Sequence, residues 1–342
     1  MGDWRDRLRG DPLPWLLDPA VPAVRHLALR QLVDRPIGDP EVVAARAGAM
    51  ASDPIAAILA GQDPEGWWAK PGPGYAPKYT GTVWQLMFLA QLGADPAHPG
   101  VAAACEYVLA HTRTAAGGFG ASSVRTSAEP PPSSAIHCLN GNLLWALIDL
   151  GRLDDARVQA SIDWQAATVT GEGGVRFYRS GTSGPGFRCG ANEGEPCAWG
   201  ATKAVLALAR IPPGRRSPAV QRALEASVGF LLSRDPAQAD YPMGYGNTAP
   251  SGSWFRLGFP SGYVADVLQV LEALCAAGAA ADPRLDRAVD WLLGQQDRHG
   301  RWANRYAYQG KLVRDIDTPG APSRWVTLRA CRVLKAVAGA RA

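Results

Sequence analysis

Long apolar runs alternate with one-sided stripes along this chain, at a nearly constant interval. Five runs are apolar on most faces. They are TVWQLMFLAQLG from Thr82, LNGNLLWALIDLG from Leu139, AWGATKAVLALARI from Ala198, YVADVLQVLEALCAAG from Tyr263 and WVTLRACRVLKAVAG from Trp325. Their starts lie 57, 59, 65 and 62 residues apart. VRHLALRQLV, from Val24, reads as an earlier member. Between them lie segments with a single apolar stripe, such as SPAVQRALEASVGFLLSRD, where Val220, Leu224, Val228 and Leu231 recur at helical spacing. Ser217-Pro218 and Asp282-Pro283 fit an N-cap followed by proline at the first helical position. Helices apolar all round belong inside, and helices with one wet face belong outside.

No period-two pattern competes over any long stretch, so the chain is expected to be all-α. Five and a half to six inner–outer helix pairs fit the length. Each pair buries one face only, so the repeat must stack or close. An α/α toroid over residues 1–342 is the economical solution, with an open solenoid as the alternative. Long Gly/Pro-rich loops precede the inner helices and should gather at one end, around the mouth of a central cavity.

Composition narrows the partners. The net charge is +4, with arginine scattered rather than clustered, which gives no nucleic-acid footprint. No run approaches about 18 apolar residues, and the N-terminus lacks the apolar stretch of a signal peptide. Six cysteines in such a chain point to reduced thiols and a cytoplasmic location.

Gln62-Asp-Pro-Glu-Gly66-Trp-Trp68 and Gln296-Asp-Arg-His-Gly300-Arg-Trp302 follow segments of the outer type. Both resemble the Q-x3-G-x-W repeat of the squalene cyclase and protein prenyltransferase superfamily. HTRTAAGGFG (111–120) and WQAATVTGEGG (164–174) are weaker echoes. The string from Pro322 to Ala330, PSRWVTLRA, is similar to one near the end of uncharacterised squalene-cyclase-like proteins. The resemblance implies a terpenoid-cyclase-like toroid with an apolar cavity for an isoprenoid-like substrate, and prenyl transfer, cyclisation or rearrangement as the reaction. The superfamily's own motifs match only in part. Asp315-Ile-Asp317-Thr318 is the nearest string to D-x-D-D, and no D-x-C zinc pair occurs.

Four groups of side chains could carry chemistry. His137 and Cys138 open one inner helix, Cys197 opens the next, and Cys189 lies in the loop between. Thiolate and imidazole suit Zn²⁺, either as a closed structural site or as a catalytic site with an open position. Asp266, Asp315 and Asp317 are candidate acids. A carboxyl facing an apolar cavity would have a raised pKa and could donate a proton or steady a cation. Trp84, Trp145, Trp199, Trp254, Tyr263 and Trp325 are expected to line the cavity, with Tyr79, Tyr178, Phe187, Tyr245, Phe255 and Phe259 in the loops at the same end. Lys70, Lys78, Arg176, Arg179, Arg188, Lys203, Arg256 and Arg324 could hold an anion. Cys105, Cys275 and Cys331 should be core. A non-catalytic toroid, with a structural zinc and a bound lipid or peptide, is the alternative to an enzyme. A zinc–thiol peptide-modifying enzyme of the lanthipeptide-cyclase type is another, although its C-H-G string is absent.

Overall fold

A computed structural model describes residues 3–122, 129–172, 186–239, 241 and 251–341. Among the described residues it is helical, with only isolated β-bridges in the loops. Six helices form an inner ring: α2 (Pro22–Gln31), α5 (Thr82–Gln91), α7 (His137–Asp149), α9 (Ala198–Leu208), α11 (Val267–Ala276) and α13 (Arg324–Ala340). Outside them lie α3 (Pro40–Met50), α6 (Pro99–His111), α8 (Ala156–Thr170), α10 (Pro218–Leu231) and α12 (Asp286–Gly294), each against its inner partner. Two short helices, α1 (Leu13–Leu16) and α4 (Ile55–Ala60), pack against α13 and α5. Each inner helix packs on the next from α5 to α13, and α13 packs on α2. Leu27 of α2 touches Gly93 just beyond α5. The ring therefore closes, an α/α toroid and not an open solenoid.

The division into inner and outer helices follows the apolar pattern. In α5 nine of ten residues are buried, whereas α10 buries Val220, Ala223, Leu224, Ser227 and Leu231 along one stripe. The caps form as expected: Ser217 accepts a hydrogen bond from the Val220 amide, and Asp282 from the Arg284 amide. Cys105 and Cys331 are core, but Cys275 is half-buried.

The Q-x3-G-x-W repeats work as clasps between neighbouring pairs. Trp68 is buried and donates its indole N–H to the Ile58 carbonyl at 2.7 Å. Trp302 does the same to Leu292 at 2.7 Å. The amides of Trp68 and Trp302 bond to Thr82 and Thr327, on the inner helix that follows each clasp. Gln62 donates to the Gly100 carbonyl at 2.8 Å, tying α4 to the start of α6. Gln296 accepts from the Arg9 amide at 2.8 Å, so the same clasp joins the C-terminal repeat to the N-terminal segment. The echo at 111–120 forms a third clasp, in which Phe119 takes the buried position and donates its amide to Asn140 of α7.

Two glycines make the clasps possible. Gly66 (φ +98°) and Gly300 (φ +70°) adopt left-handed backbone and sit against the chain they clasp. A Cβ at Gly300 would lie 2.1 Å from the Gly10 carbonyl oxygen. Gly300→Ala is therefore expected to destabilise the protein by about 2–4 kcal/mol through backbone strain and steric overlap. A thermal unfolding midpoint equal to that of the unsubstituted protein would contradict this account.

Candidate functional site

Among the described residues, the axis of the ring at its loop-rich end is not open. The segment from Gly258 to Val264 dips to the axis and fills it. Ser261 donates its amide to Gln91 Oε1 at 2.7 Å, and Gln91 returns a bond to the Ser261 carbonyl at 2.9 Å. Asn142 of α7 donates to the Gly262 carbonyl at 3.2 Å. Lys203 of α9 donates to the Val264 carbonyl at 3.4 Å and to Gln269 Oε1. Three polar side chains on three inner helices are thus turned inward to meet this plug, and Gln269 of α11 meets the third of them. The expectation of an open mouth is corrected accordingly: the axis there is occupied by the protein's own backbone.

Asp266 follows the plug. It does not lie one turn into the helix, as the apolar run suggested, but caps α11. Its carboxylate accepts from the Gln269 amide at 2.7 Å and the Gly258 amide at 3.0 Å. Tyr263 likewise lies before the helix and not within it. Burial pushes the Asp266 carboxyl up, while the Arg329 guanidinium works against that rise. Asp266 lines a small cleft with Arg256, Gly258, Ser261, Tyr306 and Tyr308. That cleft encloses about 10 Å³, room for little more than one water.

Behind it lies a buried ionic chain. Arg329 donates to the Gly258 carbonyl at 2.6 Å and to Glu272 at 2.6 and 2.9 Å. Burial alone would raise the Glu272 carboxyl, but Arg329 and Arg332 overcome it and hold it at about 2.

Aromatic rings surround the plug on the α5 side. Trp84 is buried, with Tyr79 at 5.0 Å, Tyr263 at 5.2 Å and Tyr75 at 5.8 Å between ring centres. Tyr308 stands 4.4 Å from Tyr79. The Lys78 ammonium lies 5.1 Å over the Tyr79 ring and 5.9 Å over Tyr263. Of the expected cavity residues, then, Trp84 and Tyr263 belong here, and Trp199 is half-buried near the same end of α9. Trp254 is core, stacked near Tyr241 and bonded to the Pro236 carbonyl, and Trp325 stacks on Phe259. Trp145 lies at the opposite end of the ring. It is the ninth residue of α7, one to two turns deeper than Trp84 or Trp199 in their helices.

Asp315 and Asp317 do not join Asp266. Asp315 is exposed and accepts the Gly310 amide at 2.9 Å. Asp317 holds Asn304 and Ser323, the cap of α13, and burial raises its carboxyl. Both brace the loop between α12 and α13.

The structure divides the Cys/His set. Cys138 and Cys197, at the starts of α7 and α9, and Cys189, in the loop between, lie together as free thiols, Cys197 close enough to influence and be influenced by both others. The bond to Cys138 and burial raise the Cys197 thiol to about 12, against the opposing bond to Cys189. Among the described residues, no three His, Cys, Asp or Glu side chains are placed as ligands of one ion. His137 faces away, into α8. Phe119 donates to Asn140 Oδ1, Asn140 Nδ2 to Gln165 Oε1, and Gln165 Nε2 therefore to His137 Nδ1 at 2.9 Å. This order fixes the imidazole proton on Nε2. Burial lowers the ring to about 3, so it stays neutral.

Among the basic residues, Arg324 pairs with Asp18 and stacks on Trp15. Arg176, Arg179, Tyr178 and Tyr245 lie outside the described residues. Lys203 is wholly buried, and burial lowers its amine to about 7 against the opposing pull of Cys138 and Asp266. Its place at the axis could have been read from the only charge in an otherwise apolar helix. The Asp266 cap was legible too, since Asp266-Val-Leu-Gln269 has capping-box spacing.

No family model and no curated protein matches the chain. Several solved structures are similar to it in arrangement. A type II terpene cyclase, MstE from Scytonema, in complex with geranylgeranyl dihydroxybenzoate, is 14% identical; the match covers 87% of this chain and 97% of that one, with a TM-score of 0.33. A glycosidase is 13% identical over 88% of this chain and 99% of that one, at 0.38. A protein from Actinoplanes is 15% identical over 86% and 99%, at 0.33. Likenesses this distant assign no reaction to this chain.

Lys203 has a thermodynamic signature. Its folded pKa lies below its unfolded value, so between about pH 7 and 10.5 the unfolded chain binds the extra proton. Stability should then rise with pH through that window, by at most about 1.4 kcal/mol per unit from this group. Denaturant titrations across the window should show the Lys203→Met protein lacking this component. Parallel pH profiles for the two proteins would refute it.

Proposed function

We propose that the chain is an enzyme acting on an isoprenoid-like or similarly apolar substrate at the loop-rich end of the ring, with Asp266 as proton donor. A single observation carries this reading: one carboxyl, raised by burial, lies at the floor of a tyrosine-walled cleft beside the Trp84 cluster. A protonated carboxyl can donate to an alkene, burial favours that form at Asp266, and aromatic faces accommodate the positive charge that results. Cyclisation or rearrangement fits such a step better than prenyl transfer. For the substrate to reach Asp266, the segment 259–264 must give up its place on the axis. Among the described residues, no helix is long and apolar enough to cross a membrane.

The test is incubation with linear polyprenyl substrates of 15–20 carbons and analysis of the products by mass spectrometry. Asp266→Asn keeps the helix cap, because asparagine caps as well as aspartate. It is expected to slow turnover by about 100-fold or more, the range for loss of a general acid. Full activity in this variant would remove Asp266 from the reaction.

We propose further that Cys138, Cys189 and Cys197 take up a zinc ion as thiolates. The donor chemistry fits, and all three already share one corner of the mouth. In the thiol form they bond to one another and not to a common centre, so no step of the reaction is derived from the metal. When bound, zinc would supply a Lewis acid if one position stayed open. Protein purified without added metal is expected to carry about one zinc per chain, by the affinity usual for thiolate sites. Each Cys→Ser change should lower that content. Zinc far below stoichiometry, unaffected by all three changes, would rule the site out.

One observation favours a second reading. Of the two amides bonded to Asp266, that of Gln269 belongs to the helix it caps and that of Gly258 to the plug it anchors, both structural duties. In that reading the toroid binds a lipid or peptide without transforming it, and Asp266→Asn leaves binding intact.

A further inference from the structure

A cavity open to solvent lies at the other end of the ring. All six inner helices or the residues just beyond them border a basin of about 530 Å³, within the usual range for small-molecule sites. Leu27, Ala90, Leu206, Val333 and Ala336 give it an apolar wall. Gln91 lies at its floor, already satisfied by Ser261, so the plug separates this basin from the mouth.

Arginines line the same basin. Arg332 is fully engaged, with Gln31 at 2.9 Å and with Glu272. Arg210 is not. Its Nε meets Asp149 at 2.9 Å and its guanidinium lies 5.6 Å over the Trp145 ring, but its two Nη groups have no protein acceptor among the described residues. Arg46 approaches Asp95 at 3.1 Å, yet its Nε is buried without an acceptor. The helix C-termini that end here favour cations, which accounts for some arginine. They do not account for N–H donors left over after the carboxylates are paired. Counting Arg329 behind Glu272, four guanidiniums face three carboxylates, those of Asp95, Asp149 and Glu272. A cationic ligand would meet net repulsion, whereas an oxyanion would find free donors beside an apolar wall.

We infer that this basin binds a small amphiphilic anion, its apolar body against the Leu27–Ala336 wall and its oxyanion head on the free edge of Arg210. Arg46 adds positive potential at the rim. The inference does not depend on the chemistry at Asp266, which lies beyond the plug.

Isothermal titration with decanoate, decyl phosphate and decan-1-ol tests it. At least one of the two anions should bind saturably at one per chain, and which of them binds more tightly distinguishes a carboxylate from a phosphate ligand. Decan-1-ol should bind about tenfold more weakly or worse, because it cannot replace a charge-assisted pair. Arg210→Gln should erase that difference, and Ala336→Trp, which fills the basin from α13, should abolish binding. Asp266→Asn should leave it unchanged. Absence of saturable binding by either anion, equal binding of the alcohol, or undiminished binding by both Arg210→Gln and Ala336→Trp would overturn the proposal. Should Arg210→Gln fail to fold, Ala336→Trp and the comparison with the alcohol decide the question.

Discussion

A ring of six helices leaves an axis that its side chains do not reach across, and the central constraint here is how that axis is filled. The chain fills it with backbone. Gly258 to Val264 brings carbonyls and amides into a buried interior, where each unpaired group would cost about 1–3 kcal/mol. Gln91, Asn142 and Lys203 remove that cost by bonding to Ser261, Gly262 and Val264. Those polar residues occur in helices that are otherwise apolar, and the plug explains why. Each is matched by the segment it holds, and Asn304 completes the set by pairing with Phe259.

The plug is anchored at its base by charge. Arg329 bonds to the Gly258 carbonyl, and Asp266 accepts the Gly258 amide, so one residue of the plug is gripped from both α13 and α11. Arg329 is in turn fixed by Glu272, which Arg332 also holds. Buried ion pairs are expensive to desolvate and often add little net stability. Their value here lies in position: they determine where the strand enters the ring, and hence which side chains line the cleft. The same grip keeps Asp266 between a cation and a set of amides, the environment in which its protonation state is decided.

Much of this architecture was legible in the sequence, because its signals are local. The interval between apolar runs fixes the helix pairs, and the Gln–Gly–Trp spacing encodes contacts completed within a few turns, as Gln62 with Gly100 shows. The plug was not legible. Tyr263, Val264 and Ala265 continue the apolar run of α11, so the run reads as helix until Asp266 is recognised as its cap. The sequence put Cys138 and Cys197 at two helix starts and Cys189 in the loop between, and did not separate His137 from them. Its neighbours in sequence point to the mouth, whereas its bond to Gln165 depends on a chain of amides running through α8.

The two ends of the ring consequently differ in kind. At the loop-rich end the inner helices present their amide ends, and acids, thiols and aromatic rings collect there. At the far end they present carbonyls, which attract arginine, and the pairing of arginine with carboxylate stops short of completion at Arg210 and Arg46. The plug keeps the two environments apart while touching both, since Gln91 meets Ser261 on one side and lines the basin on the other. A ligand in the basin would press on the residue that holds the tip of the plug. Any displacement of that tip would reach Gly258 within three residues, and Gly258 is the residue that Asp266 and Arg329 share. The path between the ends of the ring is therefore short and made of hydrogen bonds, and Gln91 is its narrowest point.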